Sequence, residues 1–117
     1  LSLNPISSLT TSTLVKICSD QEVRNVVKNM MNEAHEISKK LGIEKPFDVE
    51  RRIEAAKAVG EHKTSMLQDL ERDRPMEIDA LVSSVQELGS ITNVPTPTID
   101  TVLALVKLRA KEAKLYK

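Results

Sequence analysis

The sequence predicts an all-α fold. Apolar residues recur at alternating steps of three and four in several segments, the spacing that puts side chains on one face of a helix. Residues typical of helix starts and stops bound those segments. No segment alternates apolar and polar residues with a period of two, so we predict no strands. At 117 residues, 40% of them hydrophobic, the chain suffices for a single domain with a buried core.

The first third of the chain predicts one short helix and one long helix. The pair Asn4–Pro5 has the form of an N-cap followed by a first helical residue. The Thr/Ser run at 10–13 interrupts the pattern after it. Ser19 and Glu22 then form a capping box at the start of the long helix, and Gly42 ends that helix. Its inward face is predicted to comprise Val23, Val27, Met30, Ala34, Ile37 and Leu41.

Four more helices are predicted in the rest of the chain. One opens at 46–48, a short one runs over about 65–72, one extends from Pro75 to a left-handed cap at Asn93, and the last is capped by Thr96. The residues predicted to face inward from these helices are, in chain order, Val49, Ile53, Ala56, Val59, Met66, Leu67, Leu70, Ile78, Leu81, Val82, Val85, Leu88, Ile99, Val102, Leu103, Val106, Ala110 and Ala113.

Composition argues against several classes of partner. Lys+Arg and Asp+Glu number 17 each, so no net charge favours nucleic acid or an anionic membrane surface. The aromatic residues are only Phe47 and Tyr116, which leaves almost nothing for base stacking. No apolar run approaches membrane-spanning length, and no secretory signal opens the chain. The first residue is Leu1 rather than Met, so we expect a fragment of a longer protein.

Metal, disulfide and nucleotide sites also lack a local signature. His35 and His62 fall on different predicted helices without a second ligand at metal-binding spacing. Cys18 is the only cysteine, so no internal disulfide can form. It is predicted to be a buried, unreactive thiol in a cytoplasmic protein. Three widely spaced glycines cannot build a dinucleotide-binding loop.

Three residues are candidates for binding chemistry, and each has a simpler structural explanation. Ser65 can be the N-cap of a helix, with Gln68 as the second member of a capping box. Alternatively, it can lie where a helix N-terminus holds a substrate carboxylate. Glu77 can serve the dipole of a helix start, or it can point into a cleft towards a cationic partner. Asn4 can be an N-cap or a substrate-facing amide. The local pattern favours the structural explanation in each case.

Several charged side chains flank these candidates. Lys63, Arg72 and Arg74 can contact a cofactor phosphate, although charged residues at helix ends are usually solvated. Asp69 is better explained as a surface or loop-stabilising acid than as a catalytic one.

The motifs at 63–79 resemble those of a known family. The run S-M-L-Q-D at 65–69 is followed by E-I-D at 77–79, with V-P-T-P at 94–97 and L-x-L-N-P at 1–5. Together they resemble the C-terminal domain of ketopantoate reductase (2-dehydropantoate 2-reductase). The resemblance implies a compact multi-helix domain of the 6-phosphogluconate dehydrogenase C-terminal-like type, spanning 1–117. It also implies an N-terminal Rossmann domain, absent from this chain, that binds most of the NADPH.

The resemblance also assigns roles to the three candidates. Ser65 would bind the 2-oxo acid substrate, Glu77 would hold both the substrate and a catalytic lysine, and Asn4 would be a substrate-facing asparagine. The family lysine would precede Leu1. Asp73 and Ser83 stand where the family commonly has glycine, which leaves the exact substrate open and a related 2-oxo acid reductase as an alternative.

Two functions therefore follow from the sequence. The first is the substrate-binding and cleft-closing domain of an NADPH-dependent reductase in pantothenate biosynthesis, with homodimer formation as an open question. The second is a non-catalytic helical dimerisation or interaction module.

Overall fold

The computed structural model describes residues 3–43, 48–59, 64–72 and 83–113, and the regular structure in these ranges is helical throughout, with no strand, which confirms the all-α prediction. The helices are α1 (Leu3–Thr10), α2 (Leu14–Ser19), α3 (Gln21–Lys40), α4 (Val49–Val59), α5 (Ser65–Glu71), α6 (Ser84–Thr92) and α7 (Pro97–Glu112).

The longest helix, α3, organises the packing. It contacts α2, α4, α6 and α7, while α1 packs against α2, α5 and α7. The radius of gyration is 14.0 Å, close to the ~13 Å typical of a compact domain of this length. The core is built from aliphatic and sulfur-containing side chains, which are Ile6, Ile17, Cys18, Val27, Met30, Val49, Ile53, Met66, Ile99, Val102, Leu103, Val106 and Ala110.

The start of the chain differs from its prediction. Asn4 lies inside α1, which already includes Leu3, so Asn4 is not the N-cap. The Thr/Ser run does interrupt the helix, because Thr11 has a φ of 53°. The six-residue helix α2 that follows was not predicted, since fewer than two turns cannot establish a period. The predicted burial of Cys18 is confirmed, and burial raises the pKa of its thiol.

Two predicted caps lie one residue away from the observed ones. Asp20, not Ser19, caps α3, and its Oδ1 accepts a hydrogen bond from the Val23 amide at 3.0 Å. Ser19 cannot serve, because it is the last residue of α2. Thr64, not Ser65, caps α5. The left-handed cap at Asn93 is confirmed, with a φ of 60°.

The inward faces of the helices are predicted well except near some helix ends and in α6. Val59 is the last residue of α4, Leu41 follows the end of α3, and Ala113 follows the end of α7. The apolar periodicity therefore continues past the part of each helix that is packed against the core. Leu88 is exposed because α6 instead turns Gly89 towards the core. Four residues predicted to face inward are exposed, namely Leu41, Val59, Leu88 and Ala113. The predicted start at Pro75, with Ile78, Leu81 and Val82, lies outside the described residues.

Candidate functional site

Two of the three predicted site residues belong to helices that pack against each other. Asn4 lies in the first turn of α1, and Ser65 is the first residue of α5. These two helices are in direct contact. Glu77 lies outside the described residues, as do Lys63 and Arg74. The contact between α1 and α5 is therefore the part of the candidate site that falls within the described residues.

That contact contains a buried hydrogen bond between two hydroxyl groups. The Ser7 Oγ on α1 is bonded to the Thr64 Oγ1 at the start of α5. The same Thr64 oxygen accepts a hydrogen bond from the Leu67 amide at 3.3 Å, which caps α5. Ser7 follows Asn4 by about one helical turn in α1, and Ser65 follows Thr64 directly. The backbones of Asn4 and Ser65 therefore flank one buried contact.

Tertiary packing holds α5 in place. With seven residues, it is too short to be stable by itself in water. Met66 and Leu67 anchor it, with exposed fractions of 1% and 0%. The location of Ser65 thus follows from what the rest of α5 contacts.

Sequence reasoning did not single out Ser7 or Thr64 as partners. They are 57 residues apart in the chain, so no local spacing could relate them. The sequence also did not predict that Ser7 and Ser8 are fully buried, because serine is more often exposed than buried. Only a packed arrangement of α1 and α5 reveals the pair.

A polar cavity lies where α6 gives way to α7, and it includes much of the V-P-T-P motif. Its volume is about 450 Å³. The Asp100 Oδ1 accepts hydrogen bonds from Gln86 Nε2 at 2.6 Å and from Thr96 Oγ1 at 2.9 Å. Thr96 therefore stands at the start of α7 as predicted, but its hydroxyl bonds to Asp100 rather than capping the helix. The hydrogen bond between Gln86 and Asp100 joins α6 to α7 at the wall of the cavity.

The cap of α7 comes from a distant helix. The carboxylate of Glu33 on α3 accepts hydrogen bonds from the Thr98 and Ile99 amides, each at 2.9 Å. A carboxylate at this position satisfies free amides and also interacts favourably with the helix dipole. The sequence gives no sign of this cap, because Glu33 precedes Thr98 by 65 residues.

A group of ion pairs joins α2, α3 and α4. The Arg24 guanidinium contacts Glu50 at 2.7 Å and Glu54 at 3.0 Å, and it donates to the Cys18 carbonyl at 3.0 Å. Lys28 contacts Glu50 at 3.2 Å. The hydrogen bond from Arg24, followed by that from Lys28, lowers the pKa of Glu50. Glu50 is therefore a stable anion at neutral pH rather than a proton donor.

The described residues form neither a metal-binding cluster nor a membrane-spanning helix. Within 3–43, 48–59, 64–72 and 83–113, no three His, Cys, Asp or Glu side chains are grouped so that they could bind a metal ion. Among the helices of the same ranges, none has both the length and the apolar character required to cross a membrane.

Comparisons with known proteins give a consistent set of matches. The family model for the ketopantoate reductase PanE/ApbA C terminal matches residues 1–110. A 2-dehydropantoate 2-reductase from Mesorhizobium japonicum is 60% identical over 116 residues, which is 99% of this chain and 36% of that protein. The chain therefore spans about a third of the length of this curated relative.

Solved structures extend the similarity. A ketopantoate reductase candidate from Ralstonia solanacearum MolK2 superposes with a TM-score of 0.92 at 42% identity, covering 98% of this chain and 35% of that one. A D-mandelate dehydrogenase in complex with NADH superposes with a TM-score of 0.80 at 26% identity, covering 97% of this chain and 47% of that one.

Proposed function

We propose, since the chain belongs to the ketopantoate reductase PanE/ApbA C-terminal domain family, that it forms the substrate-binding and cleft-closing domain of an NADPH-dependent 2-dehydropantoate 2-reductase. The observation that supports this most is the 60% identity to the Mesorhizobium japonicum reductase across 99% of this chain. The similarity to D-mandelate dehydrogenase supports one alternative, a related reductase that acts on another 2-oxo acid.

In this proposal the cofactor is bound mainly by another part of the protein. The glycines within the described residues are Gly42 and Gly89, one after α3 and one inside α6. Neither belongs to a glycine-rich turn that could approach a pyrophosphate, so the described residues do not fit a dinucleotide site. An N-terminal Rossmann domain would bind NADPH, which supplies hydride to the substrate ketone. By itself, this chain is expected to fold but to be inactive. A cytoplasmic location stays a prediction.

The proposed site residues act on the substrate and on a lysine. The ketone oxygen gains negative charge during reduction, so a proton donor must lie close to it. The family resemblance assigns that role to a lysine before Leu1, and Glu77 would keep its ammonium charged. Ser65 and Asn4 would bind the 2-oxo acid. The packing of α1 on α5 supports a shared role for Asn4 and Ser65.

A helical dimerisation module is the second candidate. Leu105 and Leu108 lie one turn apart on α7 and are exposed by 52% and 57%. Exposed apolar side chains at this spacing can pack against another chain. This observation is compatible with the enzyme too, as a homodimer contact.

Kinetics of the full-length protein distinguish the two candidates. Ser65→Ala should raise KM for 2-dehydropantoate, and Glu77→Gln should lower kcat/KM while leaving stability nearly unchanged. Ser90→Ala and Glu87→Gln are the matched controls, because both of these side chains are exposed on α6. Wild-type kinetics in both Ser65→Ala and Glu77→Gln would refute the site assignment. Absence of any 2-oxo acid reduction by the wild-type protein would favour the dimerisation module.

A further inference from the structure

The start of α5 is joined to α1 by a buried hydrogen bond between two hydroxyl groups. Ser7 is fully buried and Thr64 is 8% exposed, so water cannot readily replace the bond between their oxygens. Thr64 also accepts from the Leu67 amide. One threonine oxygen therefore links the first turn of α5 to the middle of α1.

Apolar packing alone would locate α5 less exactly. Met66 and Leu67 are buried, but the hydrophobic effect is non-directional and fixes neither the rotation nor the axial position of a short helix. A hydrogen bond has a narrow range of length and angle. The Ser7–Thr64 bond therefore provides a directional restraint at the α5 end that begins with Ser65.

We propose that Ser7 and Thr64 are positioning residues for substrate binding. Their bond sets the distance and register between Ser65, which follows Thr64, and Asn4, which lies one turn before Ser7 on α1. This inference rests on the proposed function, because it assumes that Asn4 and Ser65 bind one 2-oxo acid. It adds two buried residues that would act through Asn4 and Ser65.

Loss of the bond should impair substrate recognition more than folding. Displacement of a binding group by about 1 Å can reduce catalytic efficiency by as much as about a hundredfold. We expect a smaller shift here, because Met66 and Leu67 still anchor α5, and a rise of about tenfold in KM for the 2-oxo acid. KM for NADPH should stay unchanged, since another part of the protein binds that cofactor.

The test uses three variants of the full-length reductase. Ser7→Ala removes the bond but leaves the Thr64 cap of α5 intact. Thr64→Val removes both the bond and the cap, whereas Thr64→Ser retains a hydroxyl for each. KM for 2-dehydropantoate should rise in Ser7→Ala and Thr64→Val, and it should stay within about twofold of wild type in Thr64→Ser. The double variant should show no larger KM than Thr64→Val, because both changes remove the same bond.

Thr96→Val is the matched structural control. Thr96 is also a buried threonine at a helix start, with an exposed fraction of 7%, and its hydroxyl bonds to Asp100 at the joint between α6 and α7. This variant should lower the melting temperature without raising KM. If Thr64→Val does not fold, Ser7→Ala provides the test, because alanine suits the interior of α1.

The outcomes separate this inference from the proposed function. An active wild-type enzyme whose Ser7→Ala variant has the same KM as wild type would overturn the positioning role alone. A KM increase in Thr96→Val as large as that in Ser7→Ala would also overturn it, since any buried hydroxyl would then have the same effect. A folded wild-type protein that reduces no 2-oxo acid would overturn the proposed function and this inference with it.

Discussion

Replacement of Gly89 by alanine tests the closest approach in the fold. Gly89 is buried in α6. A Cβ at this position would lie 2.9 Å from Thr96 Cγ2, 3.2 Å from the Val94 carbonyl oxygen and 3.4 Å from Ile37 Cδ1. The first two distances are shorter than ordinary van der Waals contacts. The substitution must therefore displace the Thr96 methyl group, the Val94 carbonyl or the helix itself.

Two effects of opposite sign determine the change in stability. Alanine favours a helix interior over glycine by about 1 kcal/mol, while overpacking a filled site costs about 1–3 kcal/mol. Residue Val94 is held close to Gly89, because the Val94 amide donates to the Gly89 carbonyl at 2.9 Å. We therefore expect Gly89→Ala to lower the free energy of unfolding by about 1 kcal/mol, with steric overlap outweighing helix propensity.

Urea denaturation followed by circular dichroism measures this change. Ser90→Ala is the control, because Ser90 is exposed on the same helix and gains propensity without overlap. Thr96→Ser in the Gly89→Ala background should recover part of the loss, since it removes Cγ2 but keeps the hydroxyl that bonds to Asp100. If Gly89→Ala is as stable as Ser90→Ala, or if the Thr96→Ser change recovers nothing, the steric argument fails.

Three further predictions concern other parts of the fold. Glu33→Gln should destabilise the domain by about 1.5–3 kcal/mol, because it removes a charge that accepts two amide hydrogen bonds; thermal melts should show less than about 0.5 kcal/mol for the exposed control Glu36→Gln. The pKa of Glu50 is depressed below its usual 4.5 by hydrogen bonds from two cations, so its stabilising contribution is complete above about pH 4.5 and is lost as the pH falls. The free energy of unfolding of Glu50→Gln should therefore depend less on pH in that acidic range than that of the wild type, and an unchanged slope would contradict this. Polar substitution of both Leu105 and Leu108 should weaken any self-association detected by sedimentation. Equal self-association of the wild-type protein and the double variant would show that these two leucines do not form the contact.

The sequence predicted the helical faces better than the helix ends. The inward faces of α3 and α7 followed from their periodicity, and Val27, Met30, Ile99 and Val106 are buried as expected. A period requires several turns, so the six residues of α2 gave no signal. Caps were predicted with an error of one residue where two polar residues adjoin, as at Thr64 and Ser65.

Long-range contacts lay beyond sequence reasoning. The Glu33 cap and the Ser7–Thr64 bond join residues 65 and 57 positions apart, and a single sequence does not reveal which helices pack together. The substrate-binding roles proposed for Asn4, Ser65 and Glu77 came from the family resemblance. Their local patterns favoured helix capping, and the observed caps at Thr64 and Asp20 show how readily such patterns mislead.

The aliphatic core has a practical consequence for spectroscopy. The chain has no tryptophan, one tyrosine and one phenylalanine, so its intrinsic fluorescence is weak and its near-ultraviolet circular dichroism nearly featureless. A tryptophan introduced at the exposed position Leu105 would then be the only indole in this domain. Its emission wavelength would report whether α7 is in water or covered by another surface.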